Sequence, residues 1–179
     1  MSLAREAARR KLDFKPRTRC ASLGAVSFTA WMLALHLIAG FAIASSLVLF
    51  SALVYSGRRM KTLEQTRTLF RIAPVGTVLI GGGLVLVVLL GVILALDSNT
   101  FQLWDVWVII GILLTIAFGG VGQRTGAYYM NVQKVAEAPD ANESDVLALL
   151  RAPTGAMLHL ATVAIFVLIV LDMIFKPGA

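Results

Sequence analysis

Charge is scarce in this sequence. Lys, Arg, Asp and Glu together make up 15% of its 179 residues, against roughly 25% in an ordinary soluble domain. Cysteine is nearly absent: Cys20 stands alone, so neither an internal disulfide nor a thiolate metal cage can form. Only two histidines occur, His36 and His159. There is no His-Glu-x-x-His, no pair of carboxylates within an apolar stretch, and no glycine loop followed by Lys-Ser/Thr. These absences remove disulfide scaffolds, thiolate zinc modules, zincin-type hydrolases and phosphate-cradling loops. The net charge of +6 suggests nucleic acid at first sight, but no stretch resembles a reader module. Nucleic acid is therefore not an expected partner.

What is present is apolar sequence. Hydrophobic residues reach 58% and gather into runs as long as the roughly 20 helical residues that span a hydrocarbon core. The runs predict helices near residues 28–55, 72–96, 104–122 and 156–175. The expected fold is all-α, an integral membrane four-helix bundle with antiparallel up-down topology, occupying residues 28–178. A basic N-terminal arm, residues 1–27, precedes it. Pro74 falls in the first turns of the second span, where a missing N–H costs little. About seven residues, Asp97 to Leu103, join the second and third spans, which predicts an antiparallel hairpin. Loop one, Ser56 to Arg71, reads as helical, with Thr62 and Gln65 at capping-box spacing. The last loop, Gln123 to Pro153, holds a polar continuation of span three, a Pro139-Asp140 break and a short helix from Glu143 to Arg151 capped by Asn142. No segment is large enough for a soluble catalytic domain.

Orientation follows from Lys and Arg in the short loops. The side bearing the arm, the hairpin and the C-terminus carries eight of them, and so does the side bearing the two larger loops. The tie breaks if residues 1–25 are an annotation extension and the chain begins at or near Val26. Both termini then lie outside and both larger loops in the cytoplasm. An intact mass that includes residues 1–25 overturns this reading. A translated arm would instead be a basic tail for anionic headgroups, with orientation undecided.

Ionisable groups inside hydrocarbon are the default functional candidates. His36 lies in the first span with Met32 at i−4 and Gly40 and Ala44 at i+4 spacing, all on one face. A thioether and an imidazole there form a candidate Cu(I) site. The alternative is a neutral histidine hydrogen-bonded to a neighbouring helix over a stripe of small residues. His159 falls near the headgroup boundary at the start of span four. The two histidines are offset by an order of 10 Å in depth, which disfavours their sharing one haem iron. Asp105, between Trp104 and Trp107, complements a helix dipole, and the tryptophans read as an interfacial belt. Asp172 lies four residues before Lys176, a spacing that allows a local pair. Gly81-Gly82-Gly83, Gly91, Gly111 and the Gly119-Gly120/Gly122/Gly126 set read as packing devices. The glycine triplet alternatively softens span two into a hinge.

Trp31-Met32-Leu33-Ala34-Leu35-His36-Leu37-Ile38-Ala39-Gly40 resembles the opening helix of a bacterial family of predicted four-helix integral membrane proteins of unknown function. That family often closes on a Lys-Pro pair, as Met173-Ile174-Phe175-Lys176-Pro177-Gly178 does. It is distantly similar to the membrane domain of copper-resistance D proteins. The resemblance covers residues 28 to 178 and implies a bacterial inner-membrane location, and at His36 a metal. The expected function is a non-enzymatic accessory or structural component, with no catalytic residue and no obligate cofactor, contacting lipid with anionic headgroups and forming a homo-oligomer or joining a membrane complex. The alternatives are copper or other metal handling through Met32 and His36, and a haem-linked redox subunit. The latter needs a second ligand at the depth of His36.

Overall fold

The computed structural model describes residues 27–97 and 104–176; the basic arm and the hairpin connection lie outside these. Every regular element among the described residues is helical: α1 Phe28–Gly57, α2 Leu63–Phe70, α3 Ala73–Asp97, α4 Val106–Glu137, α5 Glu143–Arg151 and α6 Pro153–Phe175. In hydrocarbon a helix satisfies its own backbone polar groups, which is why long apolar runs adopt it. α1, α3, α4 and α6 are long and apolar enough to cross a membrane. The chain is a multi-pass membrane protein, an all-α four-helix bundle. The span boundaries match the hydropathy reading within a few residues, save that α4 carries on to Glu137 as the polar continuation of span three. α3 runs unbroken through Gly81, Gly82 and Gly83.

The spans pack two by two, α1 against α3 and α4 against α6. Glycine positions explain the pairing. A Cβ on Gly83 would stand 2.8 Å from Ile43 Cγ1 and 3.2 Å from the Ala39 carbonyl oxygen, and one on Gly76 2.7 Å from the Phe50 ring. Across the other pair, a Cβ on Gly155 would meet Tyr128 Cε1 at 2.5 Å, and one on Gly111 would meet Asp172 Oδ2 at 3.1 Å. Small residues let backbones approach where lipid offers no hydrophobic drive to association. The short connection between α3 and α4 makes them neighbours in sequence without making them close packing partners. The expected antiparallel hairpin therefore describes the topology of these two spans and not their packing. The two pairs join at mid-membrane through Phe118, Ile43 and Leu47, with Leu84, Val163 and Phe166 around them.

At the face bearing the two larger loops, α2, α5 and the end of α4 build a cap with its own core of Phe70, Val132, Ala136, Val146, Leu147 and Leu150. Side chains tie it to backbone groups. Arg67 Nε donates to the Ala136 carbonyl at 2.8 Å, and Tyr128 Oη to the Leu149 carbonyl at 2.7 Å. Glu143 Oε2 accepts from the Leu63 N–H at 2.9 Å, meeting an orphan donor at the start of α2. Thr62 Oγ1 accepts from the Gln65 N–H at 3.3 Å, while Gln65 Oε1 reaches back to the Lys61 N–H, one residue earlier than a capping box uses. Asn142 caps α5 as the sequence predicts. Thr62→Ala is expected to cost the cap about 1 kcal/mol. Faster amide exchange confined to residues 61–70 is the measurement that checks it.

Candidate functional site

Packing in pairs leaves a gap. Between α3 and α4 lies a cleft of about 640 Å³, within the 300–1,000 Å³ range of small-molecule sites. Its walls are Thr77, Gly81 and Leu84 on α3, and Gly119, Gly122 and Gly126 on α4. The walls approach at Leu84 and Gly119, where Leu84 Cδ2 stands 3.9 Å from a Cβ built on Gly119. From there the spans part towards the loop-bearing face. The α3 wall, Ala73 to Leu84, covers about 17 Å at ~1.5 Å per residue, slightly more than half of the roughly 30 Å core. Leu69, Phe70 and Leu150 of the cap close the far end. The cleft is thus a slot one leaflet deep.

The glycines divide by role. Gly81 and Gly126 line the cleft and a Cβ on either would meet nothing within 4 Å. Gly82 and Gly120 are equally open but do not line it. Gly83 belongs to the α1–α3 contact. One Gly-Gly-Gly run therefore serves packing, cleft and lipid with successive residues, as the ~100° step of a helix requires.

At the floor the otherwise apolar cleft carries polar groups. His159, buried at 7% exposure, lines it, and its Nε2 stands 2.8 Å from Ser51 Oγ on α1. Ser51 Oγ also donates to the Leu47 carbonyl at 2.8 Å. Either Ser51 or His159 can donate in this contact, according to the imidazole tautomer. Beside it Thr125 and Thr162 stand 3.1 Å apart, each also hydrogen-bonded to its own i−4 carbonyl. His159 is therefore no headgroup residue. It ties one helix pair to the other. The sequence offered no signal for this, because Ser51 and His159 are 108 residues apart and a mid-span serine usually bonds its own helix. In a double-mutant cycle, Ser51→Ala and His159→Ala are expected to couple by about 0.6–1.7 kcal/mol in detergent unfolding.

A serine at 2.8 Å from an imidazole has the spacing of a nucleophile and its base. Among the described residues no carboxylate hydrogen-bonds to the His159 ring.

His36 lies elsewhere, on the α1 face that meets α3. Its ring covers Gly91, where a Cβ would stand 3.3 Å from Cε1. Nδ1 is buried with no partner. Met32 is half-buried one turn away. His36 and Ser51 are 15 residues apart on α1, a rise of about 22 Å. With His159 bonded at the level of Ser51, the two histidines cannot hold one iron. Among the described residues no group of three His, Cys, Asp or Glu side chains converges.

Two expectations about the opposite face change. Lys176 does not pair with the Asp172 carboxyl: its backbone N–H donates to the Asp172 carbonyl at 2.9 Å, and its ammonium stands 5.6 Å from the Trp107 ring centroid. Both Asp172 carboxyl oxygens are buried against Gly111 with no hydrogen-bond partner. Trp104 is exposed as a belt residue should be, but Trp107 is only 8% exposed and belongs to the interior. Asp105 does stand at the N-cap of α4.

The chain matches no protein-family model, no curated protein and no solved structure.

Proposed function

We propose that this protein is a non-enzymatic accessory component of a bacterial inner membrane that acts by binding an apolar molecule taken from the lipid phase. One observation carries the reading: beside the junction of the two pairs, α3 and α4 stand apart around a leaflet-deep cleft. The polar groups at its floor link helices through hydrogen bonds, Ser51 to His159 and Thr125 to Thr162. All-helical spans favour an inner membrane, since bacterial outer-membrane spans are typically closed barrels. Photo-crosslinking in bilayers containing a diazirine-tagged lipid tests it. Adducts are expected to concentrate in residues 73–84 and 119–133. Even labelling of all lipid-facing surfaces, such as Phe41 and Val48, would refute it.

A second reading attaches to His36, because a buried imidazole nitrogen without a partner is a vacant donor atom. With the Met32 thioether it offers the two soft-to-borderline ligands that suit Cu(I). Copper bound stoichiometrically to purified protein, and lost in both His36→Ala and Met32→Ala, is the result this reading requires. Metal-free protein from copper-supplemented cells removes it.

A further inference from the structure

Besides the polar groups of its floor, the cleft gains polar lining at its capped end. Where it reaches the loop-bearing face, Gln133 and Tyr129 line it, and Arg58 is an electrostatic neighbour of Tyr129. Arg71 follows Phe70 and precedes Ala73, both of which line the cleft. Arg58 and Arg71 are exposed, and neither has a carboxylate partner among the described residues. The loop-bearing face as a whole carries eight Lys and Arg against five Asp and Glu. Unpaired guanidiniums at the headgroup level bind phosphate through charge-assisted hydrogen bonds.

We propose that the cleft holds one anionic glycerophospholipid of the leaflet at the loop-bearing face, an acyl chain lying between α3 and α4 and the phosphate meeting Arg58 and Arg71. The inference rests on the cleft being the working surface. Three features select this occupant. A slot of about 17 Å along α3 that stops at the bilayer midplane has the reach of one chain of one leaflet. Its sides are open to lipid while the cap closes its end, so a ligand enters laterally from the membrane. Its cations gather at the phosphate level, where an anionic lipid carries its charge and a free fatty hydrocarbon carries none. The glycine walls at Gly81, Gly122 and Gly126 present backbone and no side chains, which leaves width for a chain.

Native mass spectrometry of the full chain, purified in mild detergent and given defined phosphatidylglycerol or phosphatidylcholine, tests this. Phosphatidylglycerol is expected to be retained at least fivefold over phosphatidylcholine. Gly126→Leu fills the cleft and should reduce retention of either lipid at least tenfold, whereas Gly120→Leu, equally open but outside the cleft, should not. Gly81→Leu with Gly82→Leu as its control repeats the comparison on the opposite wall, should Gly126→Leu fail to fold. The double substitution Arg58→Gln/Arg71→Gln is expected to abolish the preference for phosphatidylglycerol while leaving phosphatidylcholine retention unchanged. Equal retention of the two lipids by the native protein, still lost in Gly126→Leu, overturns the anionic lipid and leaves the cleft reading standing. An unchanged preference in the arginine variant overturns the phosphate contact. Retention unaffected by filling either wall overturns both the lipid and the cleft.

Discussion

Gly83→Leu is expected to separate α1 from α3, while Gly82→Leu, its immediate neighbour, leaves the fold unchanged. A Cβ at position 83 would press on Ile43 Cγ1 at 2.8 Å and on the backbone oxygen of Ala39 at 3.2 Å. The isoleucine end can shift, but the carbonyl belongs to a helix and cannot. The larger side chain therefore pushes α1 and α3 apart along their whole contact. The expected loss is about 3 kcal/mol or more, reduced by about 1 kcal/mol because leucine is the better helix former. At Gly82 the added side chain meets nothing within 4 Å, so only the favourable propensity term remains. The unfolding midpoints of the two variants in one detergent decide the matter. Equal midpoints would mean that α1 and α3 are not held by backbone proximity at Gly83.

Phe118→Ala is the second large effect. Phe118 is 2% exposed and is the largest of the fully buried side chains. It touches both pairs, packing with Ile43 and Leu47 on α1 and standing 6.0 Å, ring centroid to centroid, from Phe166 on α6. In a water-soluble protein the change would cost about 3–5 kcal/mol from lost transfer energy and an unfilled cavity together. Inside a bilayer the transfer part largely vanishes, since lipid is as apolar as the core. The cavity and dispersion part persists, and about 2 kcal/mol is expected. The loss should fall on the junction between pairs. Crosslinks engineered between α1 and α3 should therefore survive under conditions in which α1–α6 crosslinks fail. Parallel loss of both would show that the four spans form one cooperative unit.

Asp172 follows from the same physics at the opposite face. An ionised carboxylate without a partner is costly in a buried site, and Gly111 provides the room that lets this one be buried at all. The local pair with Lys176 that i, i+4 spacing allows is not made. The chain turns left-handed at Lys176 (φ 41°), and the ammonium goes to the Trp107 ring.

Which segments cross the membrane was determined by the sequence alone, because hydrocarbon thickness and backbone satisfaction leave a run of some twenty apolar residues one option. The ends were legible for the same local reason: Asn142 and Thr62 act within three residues of themselves, so their caps can be read off spacing. Which glycines pack was not legible. Gly81, Gly82 and Gly83 are chemically identical, and only the placement of Ile43 and Ala39 on another helix tells them apart. Nor was the pairing of spans. A short loop limits how far apart two helix ends can be, but it supplies no energy for contact along their length. Close packing at Gly76, Gly83 and Gly155 supplies it, against the Phe50 ring, the Ala39 backbone and the Tyr128 ring. The cleft is what that choice leaves over. His159 was visible as a histidine near a span end, yet its partner Ser51 lies on a helix that sequence spacing does not connect to it. Local chemistry determined the elements; long-range packing decided where a cleft opens between them.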